Sequence, residues 1–452
     1  SAEPLAGIME GLVGFDSRQL LHPVLANGFE IGEDGLTYTF HLRPNVRFHN
    51  GDALTAADVV ASWRTLTDPA FPATSRVGWD QIAAIDTPDP LTAIIRTKES
   101  SGPFLSSIAA GTFNAYALCP ASLLAQGPRA FAQLDAPIGT GPYKGASGSP
   151  SKVTLDRFDG YWGGPAALAR IVLRAYRDDD ALFAALERGD IQIAHRIGTP
   201  GASLVQQAAA LPHLSVLGFP GNAWAHLDLK QIDLLQDKRV RQALDYATPA
   251  DAIISGILGG EATRAYADQQ PGSWAFQNAG EPRSYSLNRA RQRLKAAGLR
   301  ANAEGFLRRD GVDLAIELWG DEADPTASLI LNAIAASWTQ VGVRASVHLG
   351  PAAEIWSATG YQFNGKMTAG FYRWTNYNDP DDRYYWHSAS IPARAGGPGG
   401  NAPAYFHPYA FQAQIDGLTT RAAAETDQAQ RKALYWQIQD LLHDEVPAIF
   451  LF

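Results

Sequence analysis

Residues 36–42 alternate polar and apolar side chains, which is the pattern of a strand with one face buried. Every second side chain, beginning with Tyr38, is predicted to face the core. After a short turn, the spacing of Thr55 and Asp58 is that of a capping box at the start of a helix. Residues 36–66 are therefore predicted to form a strand, a turn and an amphipathic helix.

Apolar residues recur at helical spacing in several later segments, with capping or breaking residues at their ends. The predicted helices span residues 180–188, 237–247, 249–257 and 429–443. Residues 152–158 and 446–452 are predicted to be strands, and the glycine- and proline-rich residues 390–404 are predicted to form a long loop.

The clearest architectural signal lies between residues 312 and 375. A strand (312–319), an apolar helix (328–340) and a second strand (344–349) form a βαβ unit, whose strands should be parallel. A short helix and a further strand, residues 366–374, follow. Because ligands of open α/β sheets bind beyond the carboxyl ends of the strands, residues 373–380 are predicted to lie at a binding position.

Composition narrows the class of protein. A chain of 452 residues is too long for one compact core and predicts more than one domain. The net charge of −9 argues against a nucleic-acid partner, which needs clustered basic residues. The single cysteine, Cys119, excludes an internal disulfide and is predicted to be a small buried hydrophobe. No apolar run is long enough to span a bilayer, and no signal peptide is present.

Motifs of enzymes and metal sites are missing from the sequence. There is no Gly-x-Ser-x-Gly elbow, no His-Glu-x-x-His and no phosphate-binding glycine loop, and Gly139-Thr-Gly141 is predicted to be structural. The acidic clusters at 178–180 and 379–382 are best explained as a helix cap and a turn. We therefore predict no catalytic residue, no metal site and no cofactor.

Several segments together resemble the dipeptide-, oligopeptide- and nickel-binding proteins that serve ABC importers. Residues 35–60, GLTYTFHLRPNVRFHNGDALTAADVV, match the family's usual pattern almost position for position. Further landmarks follow in the family's order: EGLVGFD at 10–16, PIGTGPY at 137–143, DGYWG at 159–163, DKRVRQAL at 237–244, residues 290–298 and NDP at 378–380.

The resemblance implies an α/β, two-lobed periplasmic-binding-protein fold with a hinge and an extra subdomain in lobe one, as in cluster C. By analogy, residues 1–20 and 139–228 form the core of lobe one, 21–138 the extra subdomain and 229–445 lobe two, and 446–452 return to lobe one. Family members usually have a strand before the Glu10 segment and more chain after the last strand. We therefore expect these residues to be part of a longer protein.

The resemblance also indicates which residues meet the ligand. In the family's peptide binders, an Asp shortly before the Asn-Asp-Pro turn pairs with the peptide's α-ammonium group, and the matching position here is Asn376. A buried ammonium group needs an opposite charge, and Asn offers only a dipole. The sequence thus departs from the family at the residue that would specify a free peptide amine.

Other residues of this loop are candidates as well. Arg373 is suited to grip a ligand carboxylate, or else to form an ion pair on the lobe surface. Trp374 aligns with an aromatic residue that lines the pocket of nickel-type relatives; the alternative is core packing. Tyr377 lies in the same loop, and Met9 and Glu10 lie where relatives meet the ligand. A nickel role for His387 would need a specific placement.

The function implied is that of an extracytoplasmic, periplasmic solute-binding protein of an ABC importer, and not of an enzyme. It would capture a small polar organic solute, such as a modified peptide or an amino-acid conjugate, by lobe closure. As a monomer it would deliver this solute to a membrane permease driven by an ATPase. The alternatives are an ordinary di- or oligopeptide, a nickel chelate or heme as ligand, and, from a different class, an enzyme on the same fold.

Overall fold

A computed structural model provides the structure of the chain. It describes residues 7–16, 18–71, 76–109, 118–127, 137–149, 151–195, 203–218, 221–360, 362–363, 368–376 and 378–452. By its internal contacts the chain divides into two compact units, which comprise Ser1–Leu182 with Ala423–Gln428 and Phe183–Ala422 with Ala429–Phe452.

In its described residues the first unit contains three antiparallel sheets, ordered β1-β2, β3-β4-β6-β5 and β7-β8-β9. Their strands are β1 (Val13–Phe15), β2 (Leu21–Pro23), β3 (Ala26–Ile31), β4 (Thr37–Leu42), β5 (Ile82–Asp89), β6 (Thr92–Thr97), β7 (Tyr143–Ser149), β8 (Lys152–Arg157) and β9 (Arg170–Arg174). Its helices are α1 (Ala56–Thr67), α2 (Phe104–Ser107) and α3 (Ala121–Leu124), and the division between the units falls within α4 (Asp179–Glu187).

The predicted strand–turn–helix over residues 36–66 is confirmed. In β4 the side chains of Tyr38, Phe40 and Leu42 are buried while their neighbours are not, as the alternation predicts. Helix α1 begins after Thr55, whose backbone N–H donates to the Asp58 carboxylate over 2.7 Å. This capping box fixes the first turn and directs the apolar face of α1 into the core that also contains β4.

The second unit is built on a five-stranded sheet ordered β15-β14-β16-β10-β17. Strand β14 is parallel to β15 and β16, whereas β10 is antiparallel to β16 and β17. A small sheet, β11-β12-β13, lies in the same unit. The strands are β10 (Ala223–Leu229), β11 (Arg300–Ala301), β12 (Leu307–Arg309), β13 (Val312–Asp313), β14 (Ala315–Asp321), β15 (Arg344–Gly350), β16 (Ala369–Thr375) and β17 (Ala448–Phe450).

The helices of this part of the chain are α5 (Ser203–Ala210), α6 (Lys238–Tyr246), α7 (Ala250–Gly256), α8 (Leu287–Ala296), α9 (Ala327–Thr339), α10 (Ala352–Trp356), α11 (Arg383–Trp386), α12 (Gln412–Ala424) and α13 (Gln428–Glu445). The predicted βαβ unit is confirmed as β14, α9 and β15 with parallel strands. Asp237 caps α6 by accepting from the backbone of Arg239, as the sequence predicts.

The two faces of the five-stranded sheet differ in character. One face, with Leu227, Phe371 and Leu318, packs in an aliphatic core with α6 and α9. On the other face, Trp224 lies directly opposite Trp374 in the pairing of β10 with β16. Because side chains alternate along a strand, this second face gathers aromatic and titratable residues from adjacent strands.

The division into units differs from the predicted lobe boundaries in three places, one of which is the assignment of Ala423–Gln428 to the first unit. Residues 183–228 fall in the second unit, and so does β17, because β17 pairs with β10 rather than with a strand of the first unit. The predicted lobe boundaries, including the return of residues 446–452 to lobe one, stay predictions. The position of the hinge stays a prediction.

Candidate functional site

Three sequence landmarks of the first unit meet at Glu10. Its carboxyl group accepts hydrogen bonds from the Thr140 hydroxyl (2.9 Å), the Tyr161 hydroxyl (2.8 Å) and the Trp162 indole N–H (2.8 Å). These donors come from the segments 137–143 and 159–163. The separate motifs at 10–16, 137–143 and 159–163 are thus parts of one hydrogen-bonded centre.

The glycines of the second landmark are needed for close approach. A Cβ atom at Gly139 would lie 2.1 Å from the Ile8 carbonyl oxygen, and one at Gly141 would lie 2.6 Å from that of Gly7. His49 holds the same loop, since its backbone N–H donates to the Gly139 carbonyl and its Nε2 lies 2.9 Å from the Gly141 carbonyl. The interpretation of this glycine pair as structural agrees with these contacts.

Burial raises the pKa of the Glu10 carboxyl from its ordinary value, and its three hydrogen bonds and the Arg43 guanidinium oppose that rise. Arg43 itself stacks over the Trp162 ring at 4.6 Å. The bonds of the carboxyl group are thus made inside the first unit. Met9, the neighbouring candidate, is half-buried and packs against Ile8 and its cluster. Ligand contact by Met9 and Glu10 stays a prediction.

In the second unit, Trp374 is a half-buried member of an aromatic group at the carboxyl end of β16. Its ring stacks on Tyr385 with centroids 4.5 Å apart, and it meets the edges of Trp224 (5.3 Å) and His226 (4.7 Å). One side of Trp374 is therefore fixed by packing while part of the ring is accessible. Both interpretations of the sequence, core packing and ligand contact, fit this position.

Asn376 has its amide directed into the second unit. Its Oδ1 accepts from the Trp224 indole (2.8 Å), and its Nδ2 donates to the Asp268 carbonyl (2.7 Å). The backbone N–H of Asn376 donates to the Asn222 carbonyl, and the backbone carbonyl of Asn376 accepts from the Asn222 side-chain amide. The side chain is 6% exposed, so it holds the end of β16 in place. Its predicted contact with a ligand is untested, and Tyr377 lies outside the described residues.

Arg373 points to the opposite face of the sheet from Trp374. Its guanidinium pairs with Asp324 (Nε to Oδ2, 2.9 Å) and donates to the Thr326 hydroxyl. This is the surface ion pair that the sequence offered as the alternative to ligand binding. A role for Arg373 in gripping a carboxylate stays a prediction.

The Asn378-Asp-Pro turn is anchored by ion pairs. Asp379 receives two parallel hydrogen bonds from the buried Arg431 of α13, at 2.6 and 2.7 Å. Asp381 also accepts two parallel hydrogen bonds, from Nε (3.0 Å) and Nη2 (2.7 Å) of Arg383, at a more exposed position. The prediction that this acidic cluster shapes a turn agrees with both pairs. Sequence periodicity alone gave no sign of Arg431, which occupies a buried position of an amphipathic helix.

Sequence reasoning also missed a pair of buried acids beside this turn. Asp268 and Asp382 are 0% and 2% exposed, and a side-chain hydrogen bond joins them. Burial raises the pKa of both carboxyl groups, and for Asp382 the neighbouring carboxylates raise it further. Nothing in the local pattern could reveal this contact, because the two residues are 114 positions apart.

The described residues meet the requirements neither of a metal site of three or more side chains, nor of a reactive thiol, nor of a membrane-spanning helix. In the described segments, no three His, Cys, Asp or Glu side chains are grouped to hold a metal ion. His387 Nδ1 accepts from the backbone of Ala389. Burial raises the pKa of the Cys119 thiol to about 12, so it remains protonated at neutral pH. Throughout the described part of the chain, each helix is too short or too polar to span a bilayer.

A surface groove of about 890 Å³ lies between α12 and α13 in the second unit. Polar residues such as Asp416, Arg421 and Asp440 line it. The five predicted site residues that are described do not contribute to its lining, so this groove is separate from the Trp374 surface.

Residues 21–393 match the sequence profile of the bacterial extracellular solute-binding proteins, family 5. The chain belongs to this family. It therefore has the two-lobed α/β fold that its motifs predicted.

Its relatives cover almost the whole chain. It is 29% identical over 449 residues to the glutathione-binding protein GsiB of Pectobacterium atrosepticum, covering 98% of this chain and 82% of the relative. It is 26% identical over 454 residues to the dipeptide-binding protein of Escherichia coli, covering 95% and 80%. The structure of HbpA2 from Haemophilus parasuis superimposes with a TM-score of 0.81 at 25% identity, covering 100% of this chain and 89% of that one.

Proposed function

We propose that this family 5 protein is the periplasmic binding component of an ABC importer and captures a small polar organic solute. Family membership across residues 21–393 carries the transport role. The accessible part of Trp374, at the carboxyl end of β16, supports a binding surface in the second unit, because ligands of such sheets lie beyond these ends. Delivery to a permease and its ATPase follows from the family resemblance.

The proposed solute is a modified peptide or an amino-acid conjugate. Position 376 carries an amide, and this amide is engaged with Trp224 and Asp268, so it offers no carboxylate to a peptide ammonium group. The two named relatives bind, by their names, glutathione and dipeptides. Glutathione is a peptide with a side-chain linkage, but it keeps a free α-ammonium group, so its capture would need an acid other than position 376. An ordinary dipeptide is the second candidate, which the relationship to the dipeptide-binding protein favours.

The mechanism we propose is lobe closure. A solute that contacts both lobes stabilises the closed form in proportion to its preference for that form. Trp374, Asn376, Arg373 and Tyr377 are proposed for lobe two, and Met9 and Glu10 for lobe one. The proposal assigns binding and no turnover.

A calorimetric melting screen tests the proposed function. Purified protein is heated with glutathione, dipeptides, oligopeptides, opine-like conjugates, sugars, nickel chelates and heme. A ligand at 100 times its dissociation constant adds about 2.7 kcal/mol of stability. Stabilisation by a conjugate and not by dipeptides supports the proposed class, and stabilisation by dipeptides replaces it with the second candidate. Chemical conversion of a stabilising compound, followed by mass spectrometry, would overturn the binding role.

A further inference from the structure

Asp268 and Asp382 face each other in the interior of the second unit. The Trp386 indole N–H donates to Oδ2 of Asp268 over 2.6 Å, and the Gln269 amide donates to Oδ1 of Asp382 over 2.7 Å. The other oxygens, Asp268 Oδ1 and Asp382 Oδ2, have no other hydrogen-bond partner and are inaccessible to solvent. A side-chain hydrogen bond joins the two carboxyl groups, and each group has one buried oxygen free to take part in it.

Two ionised carboxylates cannot form that bond, because each can only accept. A single proton makes the hydrogen bond possible, because a protonated carboxyl group donates its O–H to the ionised neighbour. Without it, two like charges would be buried at hydrogen-bonding distance, which is strongly unfavourable.

The surrounding charges do not replace this proton. The two guanidinium groups beside the turn form ion pairs with other acids: Arg431 pairs with Asp379, and Arg383 pairs with Asp381. Both of those carboxylates, and the first acid of the pair, disfavour ionisation of Asp382.

Two further titratable side chains face the pair. His226 lies near Asp268, and its Nε2 is 3.3 Å from Asp228. The Tyr435 hydroxyl, on the side of Asp382, bonds to the Arg431 guanidinium. His226 is thus a titratable neighbour of Asp268, and its Nε2 lies beside another acid, Asp228.

The pair holds both ends of one segment. The Asp268 backbone carbonyl accepts from Asn376, at its start, while the side chain bonds to Asp382 and Trp386, at its end. Between them lies Tyr385, the ring that stacks on Trp374. One residue of the 265–270 loop thus fixes the segment that supports the aromatic surface.

We propose that Asp268 and Asp382 share one proton and act as a positioning pair for the Trp374–Tyr385 surface. The pair keeps Asn376 and residues 382–386 attached to the 265–270 loop for as long as the proton remains. The consequence for solute binding rests on the proposed function, whereas the shared proton itself does not.

The direction of the pH effect follows from linkage. Burial raises the pKa of the pair above that of Asp in the unfolded chain, which is about 3.9. The stability contributed by the proton is therefore fully present below about pH 4 and is lost as the pH rises through the raised pKa. The segment should detach more readily in alkaline solution.

The decisive experiment compares Asp382→Asn with the wild type, without solute, from about pH 4 to about pH 9. The Asn amide donates to Asp268 permanently and needs no proton. The folding equilibrium constant of the wild type, relative to this variant, should fall by up to about tenfold per pH unit within the window. The control Asp381→Asn removes one carboxylate from the more exposed pair with Arg383 and leaves Asp268 and Asp382 in place. The ratio of wild-type to Asp381→Asn folding equilibrium constants should not decline with pH in this way. A wild-type-to-variant ratio that is constant with pH would overturn the proposal.

Two further measurements keep the test sharp. If Asp382→Asn does not fold, Asp268→Asn makes the same amide–carboxylate pair from the other side and has the same expected profile. Infrared spectroscopy of the wild type at about pH 7 should show a protonated carboxyl absorption that disappears in either variant, and its absence from the wild type contradicts the shared proton. A solute from the melting screen should bind more weakly as the pH rises through the same window, and only in the wild type. If no solute in the screen binds, the pH profile of stability alone decides the proposal.

Discussion

In the first unit Glu10 accepts a hydrogen bond from the Trp162 indole, and in the second unit Asp268 accepts one from the Trp386 indole. The remaining partners differ. Glu10 has two hydroxyl donors, from Thr140 and Tyr161, whereas Asp268 faces a second carboxyl group. Neutral donors make all three hydrogen bonds of the Glu10 carboxyl group, whereas two carboxyl groups in contact need a proton between them.

A third arrangement stands beside the acid pair. Asp379 is satisfied by a guanidinium, that of Arg431, through two parallel hydrogen bonds. The chain thus satisfies buried carboxyl groups with neutral donors, with a cation and with a proton. The three arrangements should respond differently to substitution, which gives the comparison its tests.

The largest effect should come from Asp379→Ala. Removing this carboxylate leaves the buried Arg431 guanidinium without its counter-charge, which costs about 3–5 kcal/mol of unfolding free energy. Urea denaturation of Asp381→Ala provides the control, because its more exposed pair with Arg383 should contribute about 1 kcal/mol or less. Equal losses in the two variants would contradict the distinction.

Glu10→Ala should have the next largest effect, a loss of about 3 kcal/mol of unfolding free energy. The substitution leaves three donors without an acceptor, and unpaired buried donors cost about 1–3 kcal/mol each. Glu10→Gln keeps one acceptor oxygen and should lose about 1 kcal/mol in the same urea titration. If the Gln variant is as unstable as the Ala variant, the ionised form is essential and neutral donors do not suffice.

Asn376→Asp should destabilise the second unit by about 2 kcal/mol. A carboxylate at this position meets the Asp268 carbonyl oxygen where the amide now donates, and leaves that oxygen unpaired. The variant should not gain affinity for dipeptides, which calorimetric titration checks. Asn378→Asp adds the same charge two residues along and serves as control. Dipeptide binding gained only by Asn376→Asp would restore this position as an amine site.

The smallest expected change in free energy is one of binding, and it comes from Trp374→Ala. Because part of this ring is accessible, its loss should weaken solute binding more than tenfold, or about 1.4 kcal/mol. Trp436→Ala, at the surface of α13, removes the same side chain elsewhere. Unchanged affinity in Trp374→Ala would remove Trp374 from the proposed site.

Local features of the fold could be predicted from the sequence. The alternation in β4, the capping box of α1 and the parallel βαβ unit depend on neighbouring residues, so short-range patterns specify them. The family resemblance added the two-lobed fold. The burial of Arg431 could not be predicted, because a charged residue at an inward position of a helix resembles a surface residue until its partner, Asp379, is known.

The site was only partly accessible to sequence reasoning. Trp374 and Asn376 were found by their place in the loop, but their orientation depends on Trp224 and Asp268, more than 100 residues away. The motifs around Glu10 were recognised separately, and only tertiary contacts show that they converge. Chain patterns report periodicity and local capping, whereas hydrogen-bond partners across the fold depend on packing.

The aromatic face of the five-stranded sheet has an optical consequence. Trp374, Trp224 and Tyr385 lie with ring centroids 4.5–5.8 Å apart, close enough for their excited states to couple. A solute that settles on Trp374 changes the polarity around this coupled group and the relative tilt of its rings. Intrinsic fluorescence and near-ultraviolet circular dichroism should therefore report occupancy of the second unit directly, without an attached dye, and Trp374→Phe should remove most of that signal.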